Sequence, residues 1–370
     1  MRKVRYLAPA IQRDLSKKMV FLAGPRQVGK TTLAQALLRD KSGYLTWDDP
    51  EDRERILKRE LPDVECLVLD ELHKYRAWRN YLKGFVDKWG LGRRLLVSGS
   101  ARLDYYRFGG DSLQGRYFYY RLHPLSLKEL GGGPKDLSDL LALGGFPEPF
   151  FSGREAEARR WSKLYRTRLI REEISSLESV QDVGSLELLM LRLPDLVGSP
   201  LSINALREDL QKNFRTVSRW MDIFERLYVI FRIAPFGSTK IRAVKKEQKH
   251  YHFDWTVVDD MAKRFENLVA CHLLKWLHFE EDRKGRDLEL RYFRDVDRRE
   301  VDFVILEKQK PIRFIEVKWG DEPISSGLRY LKKRFPSVES WQISAVGKRD
   351  YLSEQGIRVV PAAKFLAGLV

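Results

Sequence analysis

Met19-Val20-Phe21-Leu22-Ala23-Gly24-Pro25-Arg26-Gln27-Val28-Gly29-Lys30-Thr31-Thr32 is the stretch on which the reading of this chain turns. The apolar run Met19 to Ala23 predicts a buried strand, and Leu33, Leu37 and Leu38 space one apolar face of a following helix. Between them stand Gly24, four further residues and then Gly29-Lys30-Thr31, a phosphate-binding pattern in the strand–loop–helix setting it needs. The residue types follow from the task. Gly24 and Gly29 let the backbone turn so that successive N–H groups face a phosphate. The helix opening near Lys30 adds its positive end. Lys30 would reach the β- and γ-phosphates, and the Thr31 hydroxyl would ligate Mg²⁺.

A second stretch supports the first. Cys66-Leu67-Val68-Leu69-Asp70-Glu71 reads as a buried strand ending in two adjacent carboxylates. Asp70 is the candidate second-sphere ligand of Mg²⁺ through its water, and Glu71 the candidate base that polarises an attacking water. Together the two stretches imply binding, and hydrolysis, of a nucleoside triphosphate.

With 370 residues the chain is expected to divide into two or three domains, and a 43% hydrophobic content is enough to fill their cores. No apolar run is long enough to span a bilayer, and no signal-peptide segment follows Met1-Arg2-Lys3, so a cytoplasmic protein is expected. Cys66 and Cys271 have no partner spacing and read as buried small residues. The net charge of +16 points to a polyanionic partner, DNA first, although 52 acidic residues against 68 basic ones also describe a charge-rich surface.

Further strands are expected at Tyr44 to Trp47, Leu95 to Val97 and Tyr117 to Leu122, alternating with helices, which predicts a parallel sheet covered on both faces. The motifs Gly24 to Thr31, Asp70-Glu71-Leu72-His73-Lys74, Ser98-Gly99-Ser100, Gly115-Arg116 before Pro124-Leu125-Ser126, and Gly144-Gly145-Phe146-Pro147-Glu148 follow one another in a fixed order. In this the chain resembles bacterial and archaeal AAA+-type P-loop ATPases whose C-terminal half carries an attached domain of unknown function. The resemblance implies ATP and Mg²⁺ as ligands, with Gly24, Pro25, Arg26, Gln27, Val28, Gly29, Lys30, Thr31 and Thr32 forming the loop around the nucleotide. It places a polar sensor at Ser98 or Ser100, and makes Arg116 either an arginine finger acting on a neighbouring subunit of a homo-oligomer or a structural arginine. It also makes the helices between Gly131-Gly132-Gly133 and about residue 195 a helical lid. His73 reads as a surface or packing residue.

From Pro200 the pattern changes. Two short amphipathic helices, a turn at Lys212-Asn213 and a pair of strands (Tyr228 to Ile233, then a basic return to Phe253) predict a winged helix-turn-helix. Arg215, Ser218 and Arg219 would line its recognition helix, and Lys240, Arg242, Lys245, Lys246 and Lys249 its wing. The alternative is a protein-docking winged helix. His250 and His252 read as ordinary strand residues.

The last segment opens on a long helix carrying Glu266, followed by strands Leu288 to Phe293, Glu300 to Ile305 and Ile312 to Lys318, a helix from Ser325 and a strand from Trp341. Alternation puts Asp302, Glu316 and Lys318 on one face, and a symmetric hairpin would set Asp302 across from Glu316. Two carboxylates and a lysine can hold Mg²⁺ or Mn²⁺ and orient a hydrolytic water. This resembles the PD-(D/E)XK nuclease superfamily, with Val301 in place of the motif's proline. The resemblance implies Asp302 and Glu316 as metal ligands, Lys318 as a catalytic residue and Glu266 as the helix acid.

The fold expected is thus α/β: a P-loop AAA+-type parallel-sheet core (1–130), a helical lid (131–195), a winged helix-turn-helix (196–255) and a restriction-endonuclease-like α/β domain (256–370). The function expected is an ATPase acting on DNA with a metal-dependent nuclease site. The alternative is a nucleotide-gated adaptor that docks proteins and cuts nothing.

Overall fold

A computed structural model describes residues 5–90, 93–99, 113, 115–174, 182–237 and 248–370. Ser100, Lys240, Arg242, Lys245 and Lys246 lie outside the described residues. The chain divides into two compact units, Met1–Pro124 with Asp282–Gly285, and Leu125–Glu281 with Arg286–Val370.

The first unit is built on β1 (Met19–Ala23), β2 (Tyr44–Thr46), β3 (Cys66–Asp70), β4 (Arg94–Ser98) and β5 (Tyr117–Arg121). All pair in parallel, in the order β2-β3-β4-β1-β5. A parallel sheet covered on both faces calls for continuous apolar strands, and every residue of β1 is buried. On one face Phe21, Leu69 and Val97 pack with Trp78, Leu82 and Phe85 of a helix, Trp78–Trp89. The register aligns Asp70 with Ser98 and Ser98 with Leu22, so the carboxyl ends of three strands share one edge. Among the described residues no helix is long and apolar enough to cross a membrane.

The second unit begins with helices, among them Pro134–Leu143, Glu155–Arg168 and Val183–Arg192. A nine-stranded sheet follows: β6 (Pro200–Leu201), β7 (Ile230–Pro235), β8 (Gln248–His252), β9 (Leu288–Arg294), β10 (Glu300–Glu307), β11 (Lys310–Lys318), β12 (Glu339–Ser344), β13 (Tyr351–Leu352) and β14 (Ile357–Pro361). Its order is β13-β14-β12-β11-β10-β9-β7-β8-β6.

The helix pair Ile203–Asp209 and Phe214–Arg226 precedes the β7–β8 hairpin. That hairpin continues into the C-terminal strands, because β7 joins β9 through Ala234↔Arg291 and Pro235↔Tyr292. The β10–β11 turn is Lys308-Gln309, both left-handed (φ 48 and 68), while Lys310 and Pro311 already belong to β11. β13 and β14 were not expected from the sequence.

Candidate functional site

Gly24 is dictated by proximity as well as by conformation. Its φ is 142, and a Cβ there would lie 2.3 Å from the carbonyl oxygen of Leu122, backbone that follows β5. Gly29 takes φ 96 where the loop becomes the helix Lys30–Leu37. Arg5, ahead of the first helix, donates to the Val28 carbonyl at 2.7 Å and also to that of His123, tying the loop to the chain beyond β5. Lys30 is buried, and its Nζ donates to the loop carbonyls of Gly24 (2.9 Å) and Pro25 (2.5 Å).

Three hydroxyls converge on Asp70. Thr31 Oγ1 donates to its Oδ2 at 2.8 Å, Tyr44 OH to the same oxygen at 2.7 Å, and Ser98 Oγ to Oδ1 at 2.6 Å. Burial and the Asp70 charge push the Tyr44 phenol well above its ordinary value, so it stays a donor. Ser98, fully buried, is the sensor candidate that the structure brings to the site.

Glu71 leaves β3 with a left-handed backbone (φ 58), its amide bonded to the Ser98 carbonyl at 2.8 Å. Its carboxylate lies 3.2 Å from Lys74 Nζ and 3.7 Å from His73 Nε2. Burial raises the Glu71 carboxyl above the usual range, with the Lys74 and Lys30 charges working against the rise. Lys74 in turn bonds Asp48 at 2.7 Å. His73 is buried, a packing residue.

Arg116 stands apart from this group. Tyr117 pairs with Met19 at the start of the parallel strands, whereas the phosphate loop follows Ala23, which pairs with Arg121. At about 3.3 Å per residue, Arg116 lies roughly 15 Å along the sheet from its own chain's loop. Its guanidinium bonds Asp87 at 2.6 Å. That separation places Arg116 outside the group around its own chain's loop.

Sequence reasoning missed Tyr44, Arg5 and Lys74. None had a signal in the sequence, because each depends on which strands and loops the fold sets side by side. We expect Tyr44→Phe to raise the Mg²⁺ concentration for half-maximal nucleotide turnover by roughly 5-fold, the loss of one hydrogen bond of about 1 kcal/mol. A Mg²⁺ titration of the initial rate measures it, and an unchanged midpoint would leave Tyr44 a packing residue.

In the second unit Phe303 pairs with Ile315, the residues next to Asp302 and Glu316, and the Asp302 charge bears on the Glu316 carboxyl. Asp302 Oδ2 accepts from the Val317 amide at 2.8 Å, and Lys318 Nζ lies 3.0 Å from Glu316. Glu266 accepts from Tyr251 OH at 2.7 Å. Burial, then the Asp302 charge, raises the Glu266 and Glu316 carboxyls, and burial raises Asp302.

The wing assignment of Lys249 is corrected. Its side chain is 1% exposed and turned inward, with Nζ 2.5 Å from Glu300, 3.7 Å from Glu266 and 4.0 Å from Asp302. Strand alternation explains it: Lys249 and Tyr251 share the inner face of β8. Burial by itself would lower the Lys249 ammonium, but the charges of Glu266, Asp302 and Glu300 override it and hold it above the ordinary value. Among the described residues no three His, Cys, Asp or Glu side chains are grouped to hold a metal. The buried Lys249 ammonium, 4.0 Å from Asp302, stands against the Mg²⁺ or Mn²⁺ expected at Asp302 and Glu316.

His250, on the opposite face, meets the Leu193 carbonyl at 2.9 Å, and burial lowers it to about 4, so it is a neutral core histidine. On Phe214–Arg226, Arg215 and Arg219 are exposed and Ser218 half-buried, while Val217, Trp220, Met221, Ile223 and Phe224 face the core.

The loop, the hydroxyl-bonded Asp70 and the sheet order define a P-loop nucleotide site, and comparison with known proteins names its class. Residues 16–131 match the family described as AAA domain, which supports a P-loop nucleotide-binding domain of AAA type in this stretch. Residues 134–267 and 262–365 match two families each described as a domain of unknown function, DUF8612 and DUF4143. The uncharacterized proteins Mb2031c of Mycobacterium bovis and Rv2008c of Mycobacterium tuberculosis are each 25% identical over 253 residues, 67% of this chain and 57% of theirs. The chain thus spans a little over half the length of these relatives. Among solved structures, a RuvB of Thermotoga maritima aligns with 19% identity and a TM-score of 0.26, over 61% of this chain and 87% of that one. A DNA polymerase III gamma subunit-related protein of the same organism aligns with 13% identity and a TM-score of 0.28, over 60% and 97%.

Proposed function

We propose that the chain is a Mg²⁺-dependent ATPase that acts on DNA. The observation that carries the ATPase reading is the set of three hydroxyls on Asp70, with Lys30 at the mouth of the glycine loop. Lys30, bonded to loop carbonyls, is placed to exchange them for phosphate oxygens. The Thr31 hydroxyl and Asp70 would hold Mg²⁺, which neutralises charge on the phosphates when bound. Ser98 keeps the Asp70 carboxylate oriented. Glu71, outside that bonded group and paired with Lys74, would turn toward a water and take its proton. Arg116, too far from its own loop, would act across a homo-oligomer contact and so complete a neighbouring site.

The DNA reading rests on Arg215 and Arg219, exposed one turn apart on a helix whose other face is buried, in a chain of net charge +16. The adaptor reading has its own support in Phe214, 50% exposed beside Arg215, an apolar side chain suited to a protein partner. An Arg215→Glu, Arg219→Glu double variant separates the two. Duplex binding should weaken at least roughly 10-fold irrespective of sequence, with the log–log salt slope shallower by about 2. Unaltered affinity and slope would assign the helix to protein docking.

A further inference from the structure

Cleavage is absent from the function proposed above because of what fills the carboxylate pocket of the second unit. Glu266 comes from the long helix Met261–Lys284, and Glu300 and Asp302 from β10. All three close on one ammonium, the Nζ of Lys249, at 3.7, 2.5 and 4.0 Å. β8 and β10 are separated in the sheet by β7 and β9, so the sheet curls over for the two to meet. The two-residue junction of β7 with β9 is the natural point of bending.

Other acceptors are engaged in part, and one Glu316 oxygen, Oε2, is buried without a hydrogen-bond partner. The second oxygen of Asp302 takes the Val317 amide, Glu266 takes the Tyr251 hydroxyl, and Glu316 pairs with Lys318. The Tyr251 ring packs at a tilt against Phe303 of β10, with centroids 5.6 Å apart, so the contact is packed as well as charged.

A divalent ion in such a pocket needs about six oxygens at roughly 2.0–2.6 Å around a single point. Here the Lys249 ammonium lies 4.0 Å from Asp302, and its charge opposes an ion held at that carboxylate. A lone buried lysine would be costly, and so would three gathered carboxylates; each removes the penalty of the other.

We propose that Lys249 is the resident cation of this site, so that Glu266, Glu300 and Asp302 form a metal-independent ion cluster. The cluster clamps the β7–β8 hairpin, and through it the helix pair before β7, onto the C-terminal strands, and the site does not cut nucleic acid. The hairpin and the C-terminal sheet then act as one body, and a load on the Phe214–Arg226 helix passes directly into β10.

The test needs no variant to begin. Mn²⁺ is titrated into the full chain without nucleotide and free Mn²⁺ is followed by electron paramagnetic resonance, beside Asp302→Ala. Linear and branched DNA are incubated with both proteins in Mn²⁺. The expected result is that the parent and Asp302→Ala show the same isotherm and cut neither substrate. A parent site for Mn²⁺, or a cleavage activity, that Asp302→Ala loses would overturn the proposal.

Lys249→Met supplies the second arm. Left with unpaired buried carboxylates, it should melt roughly 5–10 °C lower. Adding Glu300→Gln and Asp302→Asn to Lys249→Met should recover at least half of that loss. A Lys249→Met chain with the parent's melting temperature would equally overturn the clamp.

Discussion

A Glu71→Gln chain should bind Mg²⁺·ATP within about 3-fold of the parent and turn it over at least roughly 100-fold more slowly, the usual contribution of a placed general base. Lys30→Ala should instead lose the binding itself by roughly 30-fold or more, because a charge-assisted phosphate contact is removed. The two failures differ because the two side chains occupy separate places. Lys30 is buried at the loop and bonded to its carbonyls, whereas Glu71 pairs with Lys74 and keeps a fifth of its side chain in solvent.

Glu71 also predicts a pH signature. Burial raises its carboxyl above the ordinary glutamate value, and a base works only when ionised. The turnover rate should therefore fall as pH is lowered through that raised value, and the residual rate of Glu71→Gln should lack this acid limb. Nucleotide titration with single-turnover hydrolysis across pH 4 to 8 reads both effects. An acid limb that persists in Glu71→Gln, or a rate that survives, would remove Glu71 as the base.

Gly24→Ala should be nearly as damaging, for a reason unrelated to charge. The added methyl would meet the Leu122 carbonyl at 2.3 Å, and φ 142 is closed to a residue with a Cβ. Neither neighbour can yield cheaply, since Leu122 is itself held by its amide bond to the Ala23 carbonyl at 2.8 Å. The expected cost is about 1–3 kcal/mol of strain, a drop of several degrees in melting temperature. Nucleotide affinity should fall more than roughly 10-fold as the loop is pushed out of register with Asp70. Calorimetric melting and titration of a fluorescent nucleotide measure the two. An alanine chain with the parent's affinity would mean that the loop can move without losing its phosphate cradle.

The first unit was legible from sequence because its signals are local. Three of its strands, β1, β3 and β4, are buried along nearly their whole length and read as apolar runs, the loop carries its function in consecutive residues, and Asp70-Glu71 closes one of the runs. That Asp302 and Glu316 lie near one another was likewise legible, since a hairpin brings together residues close in sequence. Tyr44 on Asp70, Arg5 on Val28 and the distance of Arg116 from its own loop depend on strand order, which a periodicity does not encode. Lys249 shows the difference most sharply. In the sequence it stands in a run of basic residues, Lys240 to Lys249, that reads as a solvated wing. Only the curling of the nine-stranded sheet turns this one lysine inward to three carboxylates from a helix and a strand far along the chain. A charge is cheap in water and costly in a core unless it is paired, and the partners are chosen by the fold.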